Sequence, residues 1–288
     1  MQIVKTISEV RRLILHARKE GKTIGFVPTM GALHKGHLSL IRASRKECGF
    51  SVVSIFVNPA QFGPKEDYRK YPKDLKRDTR LIEKEGADLI FAPESTEIYP
   101  EGYQTYVEVQ KFPQGLCGKY RPGHFQGVAT VVLKLFHIVS PDRAYFGWKD
   151  AQQLLIIKKM VEDLNLSIKV IGLPTVREKD GLAMSSRNQY LSPEERKSAP
   201  LLYKNLKNVK RTVETKQKSL KEALKETQKN LNKNPLVKLQ YLEAVDLKKL
   251  ETVKKDTRGK ILVALAAFLG STRLIDNIII HVGSRKIS

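Results

Sequence analysis

Apolar residues follow two alternating rhythms over the first 175 positions. Short apolar runs at 24–28, 51–57, 88–92, 143–146 and 168–172 read as strands. The clearest, SVVSIFV at 51–57, is β-branched and almost wholly apolar, as a strand buried on both faces should be. Between these runs apolar residues recur at helical spacing. Leu38, Leu40, Ile41 and Ala43 mark a helix over 36–46, and Leu75, Leu81 and Ile82 mark another over 74–85. The stretches 124–138 and 151–164 read as two more. Strands alternating with helices predict a Rossmann-like α/β domain: a parallel sheet with helices on both faces and right-handed crossovers.

The rhythm changes after about Arg177. Ser192 as N-cap, Pro193 in the first turn and Glu194–Glu195 beside the positive end mark a helix start, and Leu202, Leu206, Val209 and Val213 follow at helical spacing. Leu220, Leu224 and Leu231 lie on one side of a second helix over 219–231. Strand-like stretches come at 239–245, 261–269 and 275–282. The expected architecture is a first domain over 1–175 and a smaller α+β domain over 176–288.

Composition narrows the class. Of 288 residues, 41% are hydrophobic, enough for two modest cores, and no apolar run approaches the ~20 residues of a membrane span. The N-terminus has no signal-peptide pattern, and Cys48 and Cys117 form neither a disulfide framework nor a metal-ligand spacing. The expected compartment is the cytoplasm, with no membrane association. The net charge of +22 raises nucleic-acid binding as a possibility, or a field that gathers anionic substrates. More than half of it is local: 196–260 holds 19 basic and 7 acidic residues, a net of +12. No aromatics interleave with those lysines in a binding motif. The run therefore reads as a solvated helix face, with no specific nucleic-acid partner.

Four clusters carry candidate chemistry. PTMGALHKGH, 28–37, joins a buried strand to a helix, where open α/β sheets bind ligands. Gly31 and Gly36 let backbone approach a phosphate, and the helix start points N–H groups at the same place. His34 and His37, three apart, can donate to phosphate oxygens. Gly36 is followed by His-Leu, which rejects a Walker-type loop; a zinc pair and two merely structural histidines are the alternatives. GLAMSSRN, 181–188, offers Ser185, Ser186 and Arg187, hydroxyls and a guanidinium suited to a mobile loop over a triphosphate, against the alternative of an ordinary polar loop. FGWKDAQQ, 146–153, offers Lys149 to phosphates or a carboxylate, Asp150 to a ribose hydroxyl or its own helix end, and Gln153 to a hydroxy acid. FVNPAQFGPKED, 56–67, places Asn58 and Gln61 on a loop after another buried strand. With no nucleophile motif in view, the chemistry looks like positioning and charge stabilisation.

These motifs, with RPGHFQGVATVV at 121–132, resemble the pantoate–β-alanine ligases, a branch of the H-x-G-H nucleotidyltransferases. The resemblance implies ATP-dependent condensation of pantoate with β-alanine to pantothenate, AMP and pyrophosphate through a pantoyl-adenylate. It implies that Met30, Gly31, Ala32, Leu33, His34, Lys35, Gly36 and His37 line the ATP site, with His37 the catalytic proton donor and His34 beside it. Gly147, Trp148, Lys149 and Asp150 would also bind ATP, Lys149 steadying phosphate and pantoate. Val176, Met184, Ser185, Ser186 and Arg187 would complete the nucleotide site. Gln61 and Gln153 would bind pantoate, and Gln61 also β-alanine. Magnesium accompanies ATP in the family, with Asp78 the available acid for a protein ligand. A homodimer is the family expectation, and the need to keep the adenylate from water predicts that the second domain closes over the site.

Overall fold

The computed structural model describes residues 1–64, 66–254 and 257–283. Lys65, in the FGPKED motif, and Lys255 and Asp256, in the charge-rich run, lie outside the described residues. The chain divides into two compact units. The first comprises 1–111, 121–148 and 153–175; the second comprises 112–120, 149–152 and the residues from 176 onward.

The first unit is a six-stranded, fully parallel sheet in the order β1-β4-β3-β2-β5-β6. In chain order its elements are β1 (Gln2–Val4), α1 (Ile7–Lys19), β2 (Ile24–Thr29), α2 (Lys35–Glu47), β3 (Phe50–Ile55), α3 (Leu75–Lys84), β4 (Leu89–Phe91) and α4 (Ser95–Ile98). The short α5 (Leu116–Tyr120) belongs to the second unit; α6 (His124–Val139), β5 (Arg143–Gly147), α7 (Ala151–Asp163) and β6 (Lys169–Leu173) follow. The expected α/β class is borne out, with one pair of elements added at the start, β1 and α1. β1 is only three residues at the sheet edge. Yet α1 carries a legible start, since Thr6 and Glu9 form a reciprocal capping box.

The strands are apolar on both faces because both are covered. Val27, Val53, Ile90 and Tyr145 pack with Leu40 and Ile41 of α2 and Ile82 of α3. On the opposite face the rings of Phe26, Phe136 and Phe146 meet edge-on, at centroid separations of 6.3 and 6.4 Å. Gly25 of β2 lets α2 approach, since a Cβ there would strike Ser44 Oγ.

The sheet reverses its winding at β2. The chain runs from β2 outward to β3 and β4, then returns to place β5 on the other side. β2 pairs with β3 through Thr29, but with β5 only at Gly25 and Phe26, although both strands run on. The two strands therefore part toward their carboxyl ends, at the topological switch point where this architecture binds ligands. Pro28 fits this opening. Thr23 and Thr29 carbonyls accept from the β3 side, whereas the Ile24 carbonyl accepts from Asp142 at the β5 side. Even-numbered positions thus face β5, and Pro28, which has no N–H, sits where the β5 ladder has already stopped.

In the second unit β7 (Val237–Asp246), β8 (Gly259–Leu269) and β9 (Thr272–Val282) form an antiparallel sheet in that order. Ile261, Val263, Leu265, Ala267 and Leu269 alternate along β8 into a core shared with α9 (Leu201–Glu214) and α10 (Leu220–Asn232). The helix begun at Ser192 does not run on as its spacing suggests. It ends as α8 (Pro193–Ser198), and α9 starts afresh after Pro200. Pro200 has no N–H for the Arg196 carbonyl, so the ladder breaks there.

Candidate active site

The turn after β2 is held from behind by acceptors. Gly31 and Ala32 both take left-handed backbone, with φ of 80° and 50°; for Ala32 that conformation is strained. Thr29 Oγ1 accepts from the Gly31 N–H and donates to the Ser54 carbonyl. Asp78, 1% exposed, accepts the Ala32 N–H at 2.7 Å and the Leu33 N–H at 2.9 Å, one on each carboxyl oxygen. Arg77 adds a bond to the Leu33 carbonyl at 3.1 Å. Burial pushes the Asp78 carboxyl up from the usual carboxylate range, outweighing the two N–H donors and the Arg77 guanidinium. Gly31 is required on two counts, since a Cβ would also lie 3.0 Å from Asp78 Oδ2.

The histidines cap their own helix. His34 Nδ1 accepts from the Gly36 N–H at 3.1 Å, and His37 Nδ1 accepts from the His34 N–H at 3.4 Å. The rings lie 4.1 Å apart at 32°. A ring nitrogen that accepts from a backbone N–H cannot itself carry the proton. Both rings are thereby fixed as Nε2–H tautomers. Gly36 makes room for this: a Cβ there would fall 2.8 Å from the His34 ring. Its role is steric clearance for the ring, not only an open approach for phosphate.

Beside this turn, Gln61 is buried, and its Nε2 lies 3.1 Å from Met30 Sδ. The Gln61 backbone carbonyl accepts from His124 Nδ1 at 2.8 Å. Arg121 meets His124 Nε2 at 3.0 Å and pairs with Glu66 through its Nε at 2.6 Å. Burial works to raise the Glu66 carboxyl, but Arg121 prevails and holds it below the usual range. Gly127 of α6 touches the Ala60 carbonyl so closely that any Cβ would collide with it. In sequence the RPGH segment is a motif with no task for Arg121 or His124; the structure makes them the support of the Gln61 loop. Gly147 and Trp148 leave the carboxyl end of β5, with the indole against Gly172, and half-buried Gln153 follows in α7.

The second unit holds the other candidates. Lys149 lies 3.5 Å from Asp150, and its carbonyl accepts from Asn277. Met184 donates its N–H to the Val176 carbonyl at 3.0 Å, and Ser185 Oγ caps the Arg187 N–H. Arg177 pairs with Asp276 at 2.7 Å and lies over the Tyr203 ring. The 181–188 segment is thus a hydrogen-bonded turn. The structure brings Met30–His37 together with Gln61 in one unit and Val176 together with Met184–Arg187 in the other.

A protein-held magnesium at Asp78 does not fit. Both its oxygens serve backbone N–H groups, and among the described residues no group of three or more acidic, histidine or cysteine side chains is placed to hold a metal.

A parallel sheet that parts at its switch point, with paired histidines on the helix start beyond it, defines the H-x-G-H class of Rossmann-like proteins. The chain belongs to the pantoate–β-alanine ligase family, whose model matches residues 2–279; its members are amide-forming ligases. Pantothenate synthetase of Caldicellulosiruptor bescii is 54% identical over 281 residues, 98% of this chain and 99% of that one. That of Thermotoga petrophila is 53% identical over 280 residues, 97% of this chain and 100% of the relative. The crystal structure of pantothenate synthetase from Thermus thermophilus matches with a TM-score of 0.91 at 46% identity, covering 99% of this chain and 100% of that one. The pantoate–β-alanine ligase of Francisella tularensis, complexed with β,γ-ATP and β-alanine, matches at 0.80 and 36% identity over 97% of each chain.

Asp78→Asn tests the clamp. The amide turns an NH2 group toward a backbone N–H, leaving one buried donor unpaired at a cost of about 1–3 kcal/mol. Urea unfolding should register that loss together with reduced turnover; parental stability would remove Asp78 from this role.

Proposed function

We propose that this chain condenses pantoate with β-alanine, consuming ATP and releasing AMP and pyrophosphate. The observation that carries the reading is the histidine pair, with both Nδ1 atoms engaged by backbone N–H groups, which leaves Nε2 of each ring as its N–H donor. In the first step the pantoate carboxylate attacks the α-phosphorus, and pyrophosphate leaves. Negative charge gathers on phosphate oxygens, where fixed donors stabilise it without reorganising. His37 and His34 supply such donors, and Met30–Lys35 and Gly36 shape the turn that presents them. Lys149 and Arg187 supply fixed positive charge, with Gly147, Trp148, Asp150, Val176, Met184, Ser185 and Ser186 completing the nucleotide's surroundings. Gln61 and Gln153 bind pantoate, and Gln61 also meets β-alanine. In the second step the amine attacks the adenylate carbonyl, and AMP leaves.

Magnesium in this reading is carried by ATP's own phosphate oxygens, since Asp78 is occupied. The use of ATP suits a cytoplasmic enzyme, and among the described residues no helix is long and apolar enough to cross a membrane. The proposed assembly is a homodimer; sedimentation at the mass of a single 32.7-kDa chain would refute it.

Product analysis with ATP, magnesium, pantoate and β-alanine, omitting each in turn, tests the reaction. Pantothenate, AMP and pyrophosphate are expected only from the full mixture, and AMP without pantothenate would discard the substrate pair. For His37→Ala, loss of one donor at the developing charge should lower kcat by about 10²- to 10³-fold. Near-parental turnover would free His37 of its role.

A further inference from the structure

Every hydrogen-bonding position of Asn58 is occupied. Its Nδ2 donates to the Gly127 carbonyl and to Gln61 Oε1, each at 3.0 Å. Its Oδ1 accepts the Ala60 N–H at 3.3 Å and the Tyr99 hydroxyl at 2.8 Å. Two of these partners allow one role only: a backbone carbonyl accepts, and a backbone N–H donates. The amide therefore cannot be flipped, and Tyr99 must be the donor to it. The same logic passes to Gln61. Its oxygen faces the Asn58 NH2, so its own NH2 lies on the other side, beside Met30.

We propose that Tyr99 is a positioning residue for the acid substrate. Through Asn58 it holds the Gln61 carboxamide with NH2, not oxygen, presented to pantoate, so this corner selects a carboxylate or hydroxyl oxygen. The inference rests on the proposed function, which assigns pantoate to Gln61. Tyr99 provides the shorter of the two bonds to Asn58 Oδ1, and Asn58 is 1% exposed, so water cannot readily replace the hydroxyl. The phenol is itself fixed: its ring lies 5.0 Å from that of Tyr103, edge-on, and 6.3 Å from that of Phe56. Gln61 is thus anchored twice, its side chain through Asn58 and Tyr99 and its carbonyl through His124.

The test is a double-mutant cycle of Tyr99→Phe and Gln61→Ala in the full-length enzyme. Tyr99→Phe keeps the ring and removes only the hydroxyl. It should lower kcat/KM for pantoate about tenfold, the effect of one lost buried hydrogen bond, with KM for ATP near the parental value. On the Gln61→Ala background the same substitution should change kcat/KM for pantoate by less than about twofold, because two sites acting through one contact are not additive. If Gln61→Ala turns over too slowly, calorimetric titration of pantoate reads the same cycle. A Tyr99→Phe enzyme indistinguishable from the parent overturns the proposal, and so does a loss that persists undiminished without Gln61. A parent that makes no pantothenate from the full mixture instead sinks the functional reading on which the proposal rests.

Discussion

Backbone N–H groups that turn inward must find acceptors, and the turn after β2 has several that helix and sheet leave unpaired. Asp78 meets two of them from α3, at 2.7 and 2.9 Å. Without it, the strained left-handed backbone of Ala32 would lose the acceptor for its own N–H. Once the turn is held, α2 can begin at Lys35 with His34 as its cap. That cap in turn settles which nitrogen of each histidine carries the proton. The Nε2–H tautomer of each histidine is therefore a consequence of backbone satisfaction several residues upstream.

The opening beside this turn has its own backbone cause. β2 and β5 leave their ladder after Phe26 and Ala144, and Pro28 could not have continued it. Gly25 seats α2 against the sheet just before the divergence. The same strand thus supplies close helix packing at one end and a parting of the sheet at the other.

Much of this is legible in the sequence. Runs such as 51–57 announce doubly covered strands because burial on both faces removes the polar alternation. β1 leaves no such mark because three edge residues carry no periodicity, although Thr6 and Glu9 spell the start of α1. The break at Pro200 is hidden by Leu202, Leu206 and Val209, whose spacing is blind to a missing N–H. The H-x-G-H turn stands out through its glycines, but the reasons for them differ in the structure: one meets Asp78 and a positive φ, the other clears the His34 ring. Asp78 reads as an available acid because sequence does not reveal that both oxygens are engaged. Arg121 and His124 leave only a motif, since their task is defined by a loop some sixty residues away.

The chain carries +22, yet the Gln61 carboxamide itself meets only a neutral amide and a thioether, while the Arg121 guanidinium reaches its backbone carbonyl and is paired with Glu66. In the proposed reaction the bound carboxylate is the nucleophile. A guanidinium paired with it would hold the charge most strongly in the ground state and lose that energy as the carboxylate oxygen bonds to phosphorus. Only interactions that strengthen toward the transition state speed the step. Neutral donors of fixed orientation define where the carboxylate lies while leaving its lone pair available for attack. Fixed charge is more useful on the phosphate side, where negative charge accumulates, and that is the side to which Lys149 and Arg187 are assigned.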